Sequence, residues 1–300
     1  MLRPSLARSA IALGLGLVLL ATAAPLHANG WSRVRDPLPG RPQVIGSYTA
    51  GCLAGATTLP LEGQGYQVMR RSRNRNHGHP QLIALIQRLG AAAAARGATL
   101  LVGDLAQPRG GPMPSGHRSH QLGLDGDIWL LAGPPQGLSL QDTEELPAPS
   151  MVDAVAVKVT ARWTRYQRDM LKLAASQPEV ERIFINPVIK LHLCRSESER
   201  DWLRKLRPWW GHDAHFHVRL ACPPGSPRCE AQQPVPAGDG CDADLLNWVK
   251  EQRQAALHPQ PPRPPQPSRP VLLPTACNAV LAGGGPGLPE RELRLAGDEP

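Results

Sequence analysis

The chain has 300 residues, with 33 Lys and Arg against 25 Asp and Glu, a formal net charge of +8, and 33 prolines. The length suits one domain of ordinary size plus appendages. The positive charge, carried mainly by Arg, suits a polyanionic substrate unless it is a plain compositional bias, and the export signal at the chain's start excludes nucleic acid as its partner.

Arg3 and Arg8 make a positive start, residues 11–24 are almost wholly apolar, and small residues follow, with candidate cleavage points after Ala23 or Ala28. That is the layout of a secretory signal peptide, and the apolar run is short for a membrane span. Residues 1–28 are expected to be removed, which leaves no stable membrane insertion and a periplasmic location of the Gram-negative type. A retained N-terminal anchor is the alternative.

Residues 65–70 and 98–104 read as short strands. Between them, Pro80 can sit in the first turn of a helix whose buried face is Leu82, Ile83, Leu85, Ile86 and Leu89, and Gly97 stops it. A Gly/Pro-rich loop over 107–116 leads into His117, and 131–150 reads as loop. A second helix is expected over 164–177, ended by Pro178, then a strand over 180–185 closed by Asn186-Pro187. Ser196 and Glu199 have capping-box spacing ahead of a helix through Leu206. Residues 214–220 read as a strand and 243–256 as a helix. The Pro-rich stretch 259–274 should be extended and without core, a linker or strap. Strands and helices mix without regular βαβ alternation and no internal repeat is visible. The expected class is therefore α+β: a small antiparallel sheet carrying the site, flanked by helices and long loops. The expected division is a domain over 29–257 and a tail over 258–300.

All six cysteines, Cys52, Cys194, Cys222, Cys229, Cys241 and Cys277, lie beyond the signal. An even set in an exported chain favours disulfides, with many pairings open on paper. Zinc ligation by thiols is disfavoured because no Cys-x-x-Cys occurs. The turn-rich insert between Cys222 and Cys229 could bring those two together locally.

Of ten histidines, five fall in two clusters: His117 and His120, followed by Asp125, Asp127 and Trp129; and His212, His215 and His217. In an extended strand His215 and His217 share one face, while Phe216, Val218 and Leu220 share the other and can pack on the core. Asp125, Asp127 and Trp129 alternate with Leu124, Gly126, Ile128 and Leu130 in the same manner. Two such strands can converge on one ion. Two imidazoles and one carboxylate make an open catalytic zinc set, and His120, Asp127 and His217 are the set selected. A lone histidine is more often a hydrogen-bonded structural residue; two clusters in phase reverse that preference.

Specific motifs carry a resemblance over most of residues 31–250. They are Gly103-Asp104, the run Ser115-Gly116-His117-Arg118-Ser119-His120-Gln121, Asn186-Pro187, the Asp201-Trp202-Leu203-Arg204-Lys205 run, the segment from Arg207-Pro208-Trp209-Trp210 through Leu220, and Gly238-Asp239-Gly240-Cys241. These segments resemble the penicillin-insensitive murein endopeptidase family, within a superfamily of lysostaphin-type and D-Ala-D-Ala zinc metallopeptidases. The resemblance implies that His217 binds Zn2+ and that His215 is the base near the reacting water. It sets His212 nearby as an orienting or oxyanion-stabilising group, and pairs Cys52 with Cys277, Cys194 with Cys241, and Cys222 with Cys229. Each bridge would contribute roughly 2–4 kcal/mol. The first would strap the tail back onto the start of the domain.

Some descriptions of the family that this sequence resembles place a second zinc, at the position of His117 with an Asp and a His after Trp129. No histidine occurs here between Ile128 and Leu191, so a full second site is not expected. His117 is expected instead to touch substrate or orient a ligand, with a second metal site as the alternative. The implied partner is the peptidoglycan stem peptide. The implied activity is zinc-dependent hydrolysis of D-alanyl-diaminopimelyl cross-links, with diaminopimelyl-diaminopimelyl bonds as a second target. The absence of Ser-x-x-Lys implies insensitivity to β-lactams. The competing readings are a zinc D,D-carboxypeptidase and a catalytically silent zinc-dependent binding module.

Overall fold

The computed structural model describes residues 27–114, 118–260 and 272–284. Nearly all of the expected signal segment, His117 and most of the Pro-rich stretch lie outside the described residues.

A short helix α1 (His27–Arg33) leads into an antiparallel hairpin, β1 (Gln43–Ser47) with β2 (Ala50–Ala54). The short strands β3 (Thr57–Thr58) and β4 (Glu62–Gly63) precede β5 (Tyr66–Val68), and β6 (His77–Gly78) pairs back on β3. Helix α2 (Pro80–Ala94) begins with Pro80 in its first turn, where a missing N–H costs nothing, and the Gln81 N–H donates to His79 Nδ1 at 3.3 Å. Its Leu82, Ile83, Leu85, Ile86 and Leu89 are all buried, as their spacing predicts; each such side chain is worth roughly 1.5–3 kcal/mol. Gly97 ends it in the left-handed region at φ +67, which turns the Ala98 N–H back onto the Ala93 carbonyl at 3.1 Å.

Strands β7 (Thr99–Val102) and β8 (Asp125–Gly133) follow, then helix α3 (Leu140–Glu145) and the pair β9 (Val152–Asp153) with β10 (Lys158–Val159). Helix α4 (Arg165–Ser176) opens with a reciprocal capping box between Thr164 and Gln167, which satisfies donors that the first turn cannot pair internally. After it come β11 (Val180–Ile185), α5 (Pro187–Ser196), β12 (Leu206–Pro208), β13 (His215–Leu220), α6 (Ala243–Leu257) and α7 (Ala276–Ala282).

The main sheet has seven strands in the order β12-β11-β13-β8-β7-β5-β4. Its middle, β11-β13-β8-β7, is antiparallel, while parallel pairings attach β12 to β11 and β5 to β7. The class is α+β, with the sheet longer and more mixed than the sequence suggests. Helix α2 packs on β5 and β7, and α4 packs on β8 and β11. Between sheet and helices lies the main core, including Leu100, Ile128, Leu130, Ile183, Phe216 and Val218. A second core forms where α7 lies on β2: Trp31, Ile45, Cys52, Cys277 and Val280. The disulfides are Cys52–Cys277, Cys194–Cys241 and Cys222–Cys229.

Three local expectations need correction. Residues 131–150 are not all loop: β8 runs on to Gly133, and Ser139 caps α3 through the Asp142 N–H. Asn186-Pro187 does not merely close a strand. Asn186 accepts the Val188 N–H at 2.9 Å and Pro187 opens α5, which fills 187–196. Ser196 is therefore the last residue of that helix rather than a cap. A 3-10 turn over Asp201–Lys205 comes after it, and then the edge strand β12.

Candidate metal centre

The site occupies the sheet face turned away from the main core. In register, His215 faces Trp129, His217 faces Asp127 and Arg219 faces Asp125 across β13 and β8. Directly paired residues share a face, so these side chains project together. Their neighbours Phe216, Val218, Leu220 and Ile128 point into the core and are fully buried, which pins the register: a slip by one residue would exchange the two faces.

His120 enters from the loop ahead of β8. It is fully buried and holds φ +67, a left-handed conformation that costs about 1 kcal/mol or more for a non-glycine residue. Its backbone N–H donates to Asp125 Oδ2 at 3.2 Å. His120, Asp127 and His217, all buried, each offer one ligand atom within 4.8 Å of the others. The Asp127 Oδ1 atom faces His217 Nδ1 at 3.1 Å, His120 Nε2 at 3.5 Å and His215 Nε2 at 3.7 Å. That oxygen is buried and lies within reach of all three imidazoles. Close approach of the chain after β7 completes the wall. A side chain at Gly103 would meet the Asp127 Cβ at 3.1 Å, and the Gly103 N–H donates to the Asp127 carbonyl at 2.8 Å.

Behind these groups sits Asp125, fully buried. Its Oδ1 accepts from His217 Nε2 at 2.7 Å and from Arg219 Nε at 2.6 Å. Burial would raise its pKa, but Arg219, then His217, hold the carboxyl well below the usual range. Asp127 is likewise held well below, against its burial, chiefly by His120. Burial would lower His217, yet Asp125 and Asp127 push it up to about 9. The two carboxylates that favour a proton on His217 would equally favour a divalent cation at Nδ1 in its place. Two imidazoles, a carboxylate and a hydrogen-bonded second carboxylate fit zinc.

At the mouth, the His215 side chain is 26% exposed. His212 stacks obliquely on it, with ring centres 4.9 Å apart. Like His120, His212 is left-handed, at φ +51, and its backbone carbonyl accepts from the Asn186 N–H at 3.0 Å. Its Nδ1 must donate to the Trp210 carbonyl at 2.9 Å, because a carbonyl only accepts, and burial pushes its pKa down to about 4. With Nδ1 committed to that carbonyl, His212 turns Nε2 away from it.

Sequence reasoning places Asp125 on the right face but assigns it no part, although the Asp-x-Asp spacing is the available signal. It also passes over Phe184 and Arg207. Across the strands they continue the row begun by Asp127 and His217, since Phe184 faces His217 and Arg207 faces Phe184.

A family model described as penicillin-insensitive murein endopeptidase matches residues 44–282. The chain is 47% identical over 242 residues to the penicillin-insensitive murein endopeptidase of Haemophilus influenzae, a match covering 77% of this chain and 82% of the relative. To the protein of that name in Klebsiella pneumoniae it is 44% identical over 271 residues, covering 88% of this chain and 95% of the relative. To that of Escherichia coli (strain K12) it is 42% identical over 280 residues, covering 91% and 97%.

Proposed function

Because the chain belongs to the penicillin-insensitive murein endopeptidase family, we propose that it is a zinc peptidase that opens the D-alanyl-diaminopimelyl cross-links of peptidoglycan, with diaminopimelyl-diaminopimelyl bonds as a second target. His120, Asp127 and His217 hold the metal in this reading. The observation that carries it is the convergence of their three ligand atoms on one buried, charge-hungry point.

Zinc bound there would supply Lewis acidity that polarises a scissile carbonyl and acidifies water. The protein's own groups do the rest. Asp125 keeps the His217 Nε2–H donated outward, so that Nδ1 presents its lone pair inward, and Arg219 balances the buried carboxylate. His215 accepts the attacking water's proton at Nε2 and returns it to the leaving amine. His212 holds the His215 ring at the mouth.

This reading places the mature protein in the periplasm. Three disulfides suit an oxidising compartment, and no helix among the described residues is long and apolar enough to cross a membrane. We assign 1–28 to a signal peptide, 29–257 to the zinc peptidase domain and 258–300 to a tail tethered through Cys277.

Digestion of purified dimeric muropeptides tests the reading. Monomers should appear, a chelator should stop their release and penicillin should not. With dimers whose acceptor stem is a pentapeptide ending in D-Ala-D-Ala, release of D-alanine alone would make the protein a D,D-carboxypeptidase, and no release at all would make it a binding module.

A further inference from the structure

We propose that the groove between β11, β12 and the start of α6 is a subsite for the free amino-acid end of a diaminopimelate side chain, with Arg207 taking its carboxylate. This rests on the murein reading and goes beyond it by naming which part of the substrate is held away from the reacting bond, and by what.

Cross-strand register puts Asp127, His217, Phe184 and Arg207 in one row across β8, β13, β11 and β12, each facing the next. They therefore share the sheet face that carries the candidate metal ligands. Neighbouring strands lie about 4.8 Å apart, so Arg207 stands about 10 Å from His217 along that row. Phe184 fills the step between them, its ring centre 5.4 Å from that of His217 and 5.6 Å from that of Trp209. The aromatic surface continues from Trp209 to Trp248 of α6 at 6.2 Å. Trp209 is 51% exposed, which leaves this aromatic surface open to solvent.

Phe184, Arg207, Trp209 and Trp248 line one groove of about 290 Å³, with Asp242 and Asp244 at its rim. That volume is at the small end for ligand sites and suits one amino-acid residue rather than a whole muropeptide. Arg207 is half-buried and makes no side-chain hydrogen bond or ion pair among the described residues, unlike Arg219 and Arg182 on the same face. Asp242 of the same lining acts on it electrostatically without forming an ion pair, so the guanidinium fork stays open to a bidentate carboxylate. Gly240, at φ +66, brings its backbone beside it: a side chain there would stand 3.5 Å from Arg207 Nη1 and narrow the groove.

The lining divides by chemistry. Indole and phenyl rings suit an aliphatic arm, the Arg207 guanidinium suits a carboxylate, and two exposed carboxylates at the rim suit an ammonium. Diaminopimelate has this sequence of groups: a short methylene arm ending in an amino-acid head. A lysine arm in the same place has the methylenes and the ammonium but no carboxylate.

Calorimetric binding of two uncross-linked stem tetrapeptides to the full-length zinc-loaded protein tests the assignment, one peptide carrying diaminopimelate and the other lysine at the same position. The wild type should bind the diaminopimelate peptide about tenfold tighter or more, as befits a charge-assisted bidentate pair. Arg207→Gln should bring the two affinities together with zinc content unchanged, and Arg207→Lys should retain part of the preference. Equal affinities for the wild type, or a preference that survives in Arg207→Gln, would overturn the proposal. The wild-type comparison decides alone if the variants do not fold. Because binding is read without turnover, a wild type that discriminates the peptides but releases no monomers from dimers refutes the cleavage reading and leaves the subsite standing.

Discussion

Two histidines on one strand face carry different expected duties, and their geometry separates them. His217 is buried and anchored through Nε2 by Asp125, whereas His215 lies at the mouth with its Nε2 3.7 Å from Asp127. His215→Ala should keep zinc and lose about 10²–10⁴ in rate on dimeric muropeptides; His217→Ala should lose both. Zinc analysis alongside a digestion assay distinguishes the two, and a His215→Ala enzyme at wild-type rate would move the base elsewhere. Asp125→Asn should weaken zinc binding by about 10–100-fold, because the amide no longer dictates which His217 nitrogen points inward. It also strips a buried Arg219 of its counter-charge, which costs about 3–5 kcal/mol; a denaturant midpoint close to wild type would contradict this. At this scale the period-two alternation is legible in the sequence, since it arises from strand geometry alone. The part played by Asp125 is not, because it depends on a residue 92 positions away.

Helix α5 shows how a buried charge is held by elements around it. Its Lys190 is fully buried and donates to the carbonyls of Leu203 and Asp239, each at 2.5 Å, which ties the 3-10 turn and the loop before Cys241 to the helix. Burial pushes the ammonium from 10.5 down to about 7; Asp239 and Asp242 oppose the shift and Arg207 adds to it. Between those two values the unfolded lysine holds a proton that the folded one has lost, so unfolding takes up a proton and stability rises with pH. Relative to Lys190→Met, the wild type should therefore gain stability from pH 7 to pH 10 and lose that gain as the pH falls back toward 7. Urea midpoints of both proteins across that range check it, and parallel profiles would show the shift to be absent. Helices α2 and α4 are readable in the sequence because an N-terminal cap or proline, an apolar stripe and a stop all agree. Helix α5 is hidden because nearly all of it is buried: with neighbours on every side, apolar residues need not keep to one stripe.

The molecule as a whole is closed by one long covalent link. Cys52–Cys277 joins residues 225 apart and holds α7 against β2, and neither cysteine is one of the candidate metal ligands. Replacing both by Ser should cost roughly 2–5 kcal/mol and expose the chain around α7 to protease, while zinc stoichiometry stays at the wild-type level. Limited proteolysis with metal analysis reads both effects; loss of zinc would mean that the two cores are coupled.

The alternation of Asp125, Asp127 and Trp129, the Phe216, Val218 and Leu220 set, and the caps of α2 and α4 were determined by the sequence alone, since local backbone geometry dictates each of them. Only tertiary structure decided that β13 lies between β8 and β11, that Asp125 serves His120, His217 and Arg219 together, and that Arg207 ends up in the row of His217. The reason is physical: strand order and cross-strand register join residues remote in the chain through the burial of a shared apolar face, and no local pattern encodes which partner that face will meet.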